Sequence, residues 1–275
     1  MEALPLALRS IPDHFDTERL ADVDGRLADI VRDHHVSIGL AIESGSRAWG
    51  FPSPDSDYDC RFLFVRQTAD YLSPWQKRDV IETPLENDMD LNGWELGKAI
   101  KLLLKGNAVV IEWLMSPIVY AGDPGFCDGL IQLATNHTDR ASIGRHYLHL
   151  GERQRNTYFA DHKTVSLKKI FYALRPAAAL RWLRGHPDAV IPPMDFATLL
   201  EQCDPPAEIV RLSLELIAQK AVTRELGAGP LPKPIRSFID AEFEAARTHF
   251  STRAHRLSEE ARKDAEAFFR STLDD

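Results

Sequence analysis

The strongest constraint in this chain is an apolar run that breaks on a glycine and is followed by paired carboxylates. Residues 36–43, VSIGLAIE, are β-leaning and almost wholly apolar, and they run into Gly45-Ser46. After the turn Pro52-Ser53-Pro54-Asp55-Ser56, residues 57–65, DYDCRFLFV, read as a second strand with Asp57 and Asp59 at its head. Gly45 lets the backbone turn sharply and approach a ligand. The residues after it are expected to open a short helix whose free N–H groups and dipole favour phosphate, with the Ser46 hydroxyl added to that cradle. Asp57 and Asp59 lie two apart, so the period of a strand sends both carboxylates to one face.

Two anions so close repel each other, and a divalent cation relieves the repulsion. Magnesium, or manganese in its place, prefers carboxylate, water and phosphate oxygens. Asp90, flanked by Met89 and Leu91, is expected to approach the pair from a neighbouring strand. Asp88 competes for that third position, since it shares a face of the same extended segment; the apolar flanks favour Asp90. Three carboxylates on adjacent strands would hold two cations about 4 Å apart, a spacing that activates an attacking hydroxyl and stabilises a leaving pyrophosphate. Gly45 and Gly50 imitate the start of a P-loop, but Phe51-Pro52 stand where Lys and Ser/Thr would be required, which excludes an ATPase of that type.

The remaining pattern surrounds this centre with helices. Leu20, Val23, Leu27, Ile30 and Val31 have helical spacing over residues 16–35, with Asp16 or Thr17 as cap. A hairpin or bend is expected between 79 and 92, a helix from Trp94 to about Gly106-Asn107, and another over 108–115. Beyond residue 122 the periodicity is helical, interrupted by proline loops at 192–193, 205–206 and 230–234. The expected fold is therefore α/β (α+β): a mixed-sheet domain over residues 1–122, followed by an all-helical domain over 123–275 that closes the cleft. On a helix near 163–184, Leu167, Ile170, Phe171 and Leu174 form an apolar stripe, while Lys168, Tyr172 and Arg175 form a second one that could reach phosphates. Arg175-Pro176 is expected to kink or end that helix. Trp49, Trp94 and Trp113 read as core anchors, and Asn107 and Glu112 as structural.

Charge is distributed unevenly. Against a net charge of −8, residues 1–95 hold 19 Asp/Glu and 9 Lys/Arg, whereas residues 140–186 hold 10 Lys/Arg and 2 Asp/Glu. That polarity suits cations on one side and phosphates on the other, and it favours RNA mildly. Three cysteines without C-x-x-C spacing argue against a disulfide framework, and the histidines lack zinc-site spacing. The first residues carry no basic export signal, and no apolar run reaches the length of a membrane span, so a cytoplasmic location and no membrane contact are expected.

The order G-S-x-x-x-G followed by S-D-x-D resembles the signature of the DNA polymerase beta-like nucleotidyltransferase superfamily. Asp90-Leu91-Asn92-Gly93-Trp94-Glu95-Leu96, Leu103-Leu104-Lys105-Gly106-Asn107, Glu112-Trp113-Leu114-Met115-Ser116-Pro117 and Lys168-Lys169-Ile170-Phe171-Tyr172-Ala173-Leu174-Arg175-Pro176 are similar to its bacterial RNA-repair-pathway branch. The resemblance covers roughly residues 36 to 225 and not the ends of the chain. It implies that Gly45 and Ser46 hold a nucleoside triphosphate and that Asp57 and Asp59 bind both metals. It also implies that Asp90 ligates the catalytic metal and helps deprotonate the acceptor. Arg47, Lys168, Lys169, Tyr172 and Arg175 complete the expected nucleotide-binding set. The acceptor hydroxyl stays open, with an RNA end, a tRNA, a protein hydroxyl or a small molecule all fitting. The rival readings are a catalytically silent nucleotide- or RNA-binding module and a D-x-D glycosyltransferase.

Overall fold

A computed structural model describes residues 4–159, 165–223, 227–251 and 257–273. Its first half alternates strands and helices in the order α1 (Thr17–His34), β1 (Val36–Glu43), α2 (Gly45–Ala48), β2 (Tyr58–Arg66), α3 (Thr68–Tyr71), β3 (Val80–Glu82), β4 (Met89–Glu95), α4 (Leu96–Leu104), α5 (Ala108–Leu114) and β5 (Val119–Gly122). The second half is mainly helical: α6 (Pro124–His137), α7 (Arg140–Tyr158), β6 (Val165–Ser166), α8 (Phe171–Gly185), α9 (Phe196–Cys203), α10 (Ala207–Val222), β7 (Ala228–Gly229), α11 (Lys233–His249) and α12 (Glu259–Ser271).

Five strands form one mixed sheet in the order β3-β4-β2-β1-β5, with β2 and β4 parallel and the other pairs antiparallel. The period of two sorts β2 between its faces. Cys60, Phe62 and Phe64 join Val23, Leu27 and Ile30 of α1, which sit at helical spacing and start from an Asp16 cap that accepts from the N–H groups of Glu18 and Arg19. Leu63 and Val65 point to the opposite face, where α4, α5, α6 and α12 form a second core. The packing boundary thus differs from the order of the chain, since α6 packs on β1 and α12 packs on α4 and α6.

A third core fills the helical half around α8, and it takes in Phe51, Ala108 and Ile111 from the first half. Phe51 stacks on Phe171 with ring centroids 4.3 Å apart. Phe196 N–H donates to the Trp49 carbonyl at 3.0 Å, and Gly50, at φ +84, lies against Asp195 where a β-carbon would collide. The loop after the glycine turn is therefore built into the helical half, and the cleft between the two is preformed.

Several expectations change here. Trp94 belongs to β4, and α4 starts at Leu96, because the Glu95 carboxylate caps it by accepting from Gly97 and Lys98 N–H. The helix expected over 163–184 begins at residues outside the described part. Lys168 and Lys169 belong to a short 3-10 turn that precedes α8, so Lys168 does not continue a stripe through Tyr172 and Arg175. Pro176 does not end α8. It removes one hydrogen bond, but α8 is buried almost all round and tertiary packing carries it on to Gly185. The half beyond residue 122 also contains the two-residue pair β6–β7, too short to leave a sequence pattern.

Candidate active site

The exit of β1 and the entry of β2 are fastened together. Ser44 N–H donates to the Asp59 carbonyl at 2.8 Å, and the fully buried Glu43 accepts from the Asp59 N–H at 2.9 Å. The Tyr120 hydroxyl donates to the other Glu43 oxygen. Burial pushes Glu43 up to about 7, with the Asp59 charge adding to the rise and the Tyr120 and Asp59 hydrogen bonds opposing it. Gly45 takes φ +60, and a β-carbon there would collide with the Asp59 carboxylate. Glycine is required at this point by both the left-handed backbone and the close approach.

Asp59 and Asp90 meet across two neighbouring strands. Asp57 immediately precedes β2, Asp59 lies within it, and Asp90 on β4 is the register partner of Asp59 across the parallel ladder. Asp88 lies instead in the hairpin turn, where Asn87 and Asp88 take φ 53 and 60 and the Asp88 carbonyl accepts from Tyr58 N–H. Asp57 is raised by burial and then by the charges of Asp88, Asp90 and Asp55. Asp59 is raised by burial, with Asp90 and Asp57 adding to the effect and Arg61 opposing it.

Arg61 is a site residue that the sequence reading passed over. One of its nitrogens donates to Asp59 Oδ1 at 3.1 Å and to Asp90 Oδ2 at 2.7 Å, and Asn92 donates to Asp90 Oδ1 at 2.6 Å. Among the described residues no three His, Cys, Asp or Glu side chains are gathered into a ready metal-ligand group, and at this site Arg61 lies between the carboxylates. The donor set is nevertheless hard oxygen throughout, which is the chemistry a small divalent cation takes.

A cleft of about 400 Å³ opens at this point. Gly45, Ser46, Asp57, Asp59 and Arg61 line one wall, and Lys168, Lys169, Tyr172 and Lys220 line the other. Lys168 pairs with Asp55 at 2.9 Å and holds that carboxyl below its ordinary range. Lys169 lies over the rings of Tyr158 and Tyr172. Lys220 comes from α10, donates to the Phe51 carbonyl at 2.6 Å, and is pushed down to about 8 by burial and by the nearby Lys168 and Lys169. It too was missed, because only folding brings α10 to the glycine turn. Trp49, expected in the core, is half-buried on the cleft wall beside Tyr172. A larger cavity of about 580 Å³, lined by Arg32, His35, Arg66 and Leu273, lacks such a convergence of carboxylates and lysines.

Two expected nucleotide contacts do not face the cleft. Arg175 is 3% exposed, pairs with Glu112 at 2.6 Å and donates twice to the Met194 carbonyl. Arg47 donates to the carbonyls of Ser56 and Asp57 and lies 3.8 Å over the Tyr58 ring. Both arginines satisfy protein acceptors and brace the site from behind. Ser46 lines the cleft and donates to the Ser56 hydroxyl at 2.9 Å.

With this geometry in view, the similarities to known proteins are specific. The model of the RlaP family, described as the RNA repair pathway DNA polymerase beta family, matches residues 21–271. The chain is 38% identical over 218 residues to the uncharacterized protein YcgL of Bacillus subtilis (strain 168), across 79% of this chain and 83% of that protein. A solved nucleotidyltransferase-like protein from Exiguobacterium sibiricum aligns at 12% identity with a TM-score of 0.30, covering 90% of this chain and 78% of that one. Among the described residues no helix is long and apolar enough to cross a membrane.

Proposed function

The chain belongs to the RNA repair pathway DNA polymerase beta family, and on that premise we propose that it is a nucleotidyltransferase, moving a nucleoside monophosphate from a triphosphate donor to an acceptor hydroxyl with release of pyrophosphate. The observation that carries this reading is the register pairing of Asp59 with Asp90 across parallel strands, at the mouth of a cleft whose far wall bears lysines. Asp57 and Asp59 would hold magnesium, or manganese in its place, with Asp90 as the third carboxylate. When bound, that cation supplies charge neutralisation at the phosphates and acidifies a hydroxyl.

The chain's own groups perform the positioning. Gly45 and the start of α2 offer backbone N–H groups to a phosphate, and Ser46 can turn its hydroxyl from Ser56 to the same oxygens. Lys168, Lys169 and Lys220 would face the triphosphate as positive charge, and Tyr172 would present a ring to the nucleotide. Asp90 would accept the acceptor hydroxyl's proton as the oxygen approaches the α-phosphorus in line, once an oxygen is released from Arg61 or Asn92. In this arrangement residues 1–122 supply the carboxylate wall and residues 123–275 the lysine wall.

An RNA end or a tRNA is the acceptor class we favour, on the family description alone. The basic stretch adds little support, because Arg140, Arg145, Arg155, Arg175, Arg181 and Arg184 are all bonded to protein groups. The test is a screen of all four α-labelled triphosphates with magnesium against RNA ends, tRNA and the protein itself, read as label transfer together with pyrophosphate release. Transfer to one acceptor names donor and acceptor together. Bound triphosphate without transfer to any acceptor would support a silent binding module instead.

A further inference from the structure

The three candidate ligands are not equivalent. Asp90 has both carboxylate oxygens engaged, Oδ2 by Arg61 and Oδ1 by Asn92. Asp59 shares Oδ1 with the same guanidinium, while its Oδ2 is turned toward Gly45. Among the described residues none donates a hydrogen bond to the Asp57 carboxylate. The strand register produces this difference. Asp59 faces Asp90 and Arg61 faces Asn92, so an arginine two residues further along β2 can fold back into the gap between the two aspartates. There it is held a second way, with its other terminal nitrogen donating to the carbonyls of Cys60 and Asp90 at 2.9 and 2.7 Å. Five donors in a rigid planar fork suit that bridging role.

A cation approaching these carboxylates therefore meets one open ligand pair and one gap already filled by positive charge. We infer that Arg61 is a positioning residue, a built-in counter-cation that holds Asp90 against Asp59 and weakens the carboxylates' affinity for a divalent cation while no substrate is bound. The inference rests on the nucleotidyltransferase reading, which requires those aspartates to be ligands. It differs from a plain structural role in the sign of its effect. If Arg61 only supported the strands, removing it would let the carboxylates drift and would weaken cation binding. As a counter-cation, its removal leaves the same carboxylates with one more uncompensated negative charge within contact range, and binding tightens.

The experiment is a titration of the substrate-free full chain with manganese, free ion read by electron paramagnetic resonance. Wild type, Arg61→Met and Arg61→Lys are compared after circular dichroism melts confirm folding. Expected is roughly tenfold tighter manganese binding by Arg61→Met, affinity near wild type for Arg61→Lys, and slower nucleotidyl transfer by Arg61→Met despite the tighter cation. Manganese binding by Arg61→Met that is unchanged or weaker overturns the inference and leaves the reading of the site standing. No manganese uptake by either wild type or Arg61→Met overturns that reading and the inference with it. Should Arg61→Met fail to fold, Arg61→Gln, which removes the charge and keeps amide donors in the gap, is expected to tighten binding in the same direction; no tightening there overturns the inference.

Discussion

The acidic and basic stretches of this chain look like mirror images along the sequence and behave differently in the fold. Asp57 and Asp59 line the cleft and Asp90 pairs with Asp59 beside it, placed by strand register and glycine geometry, and burial, then the neighbouring carboxylates, raises Asp57 and Asp59. The arginines of residues 140–186 are mostly used up inside the molecule. Arg140 donates to carbonyls at the end of α8, Arg175 pairs with Glu112, and Arg181 and Arg184 share Glu242. What lines the cleft is lysine: Lys168, paired with Asp55, Lys169 and, from a distant helix, Lys220, which donates to the Phe51 carbonyl. Charge counted along a chain predicts a site when period and turn geometry fix where the charges point. It fails when later elements can cover them.

The largest effect that could break this contrast lies at the buried pair. Glu112→Ala leaves the Arg175 guanidinium without its carboxylate in the core and is expected to cost about 3–5 kcal/mol of stability, measured by urea unfolding. A loss below about 1 kcal/mol would mean that Arg175 has freedom to serve the cleft after all. Next comes Gly45→Ala, which pushes a β-carbon into the Asp59 carboxylate and strains the φ +60 turn. Transfer is expected to fall by roughly a hundredfold with the fold retained, as a misplaced reacting group predicts. Lys168→Ala, by contrast, removes one phosphate-facing charge and is expected to raise the KM for triphosphate by about tenfold with a smaller change in kcat.

Smaller again is a pH effect. Lys220 is pushed down to about 8 from an ordinary 10.5. The ammonium is lost as pH rises through 8, so triphosphate affinity is expected to drop a few-fold between pH 7 and 9 and to flatten in Lys220→Gln. Over the window from about 8 to 10.5 the unfolded chain binds the extra proton, so stability moves the other way and rises with pH. The smallest effect belongs to Arg155, which is paired with Asp240 in an exposed position. Arg155→Ala should cost less than about 1 kcal/mol and leave RNA affinity unchanged in a filter-binding assay. A clear loss of RNA binding would restore the basic stretch as an RNA surface.

How far the sequence could be read follows the same physics. The strand over residues 36–43 and the helix capped by Asp16 were legible because each is specified within its own turn or period. Asp59 and Asp90 were legible as strand residues because the apolar residues around each mark a buried strand. Arg61 was hidden because one more charged residue on a strand carries no local signal of reaching across the ladder. Lys220 was hidden by its 169-residue separation from the Phe51 carbonyl it binds. Arg175 misled because helical spacing identifies a face without saying which neighbours, here α5 and the loop carrying Met194, will cover it.

The central claim is that the Asp57–Asp59–Asp90 edge performs nucleotidyl transfer. Its most direct test compares folded wild type and Asp59→Ala for magnesium-dependent movement of label from an α-labelled triphosphate to an acceptor. The prediction is labelled acceptor and pyrophosphate from wild type and a loss of roughly a thousandfold or more in the variant. Equal transfer by the two proteins would contradict it.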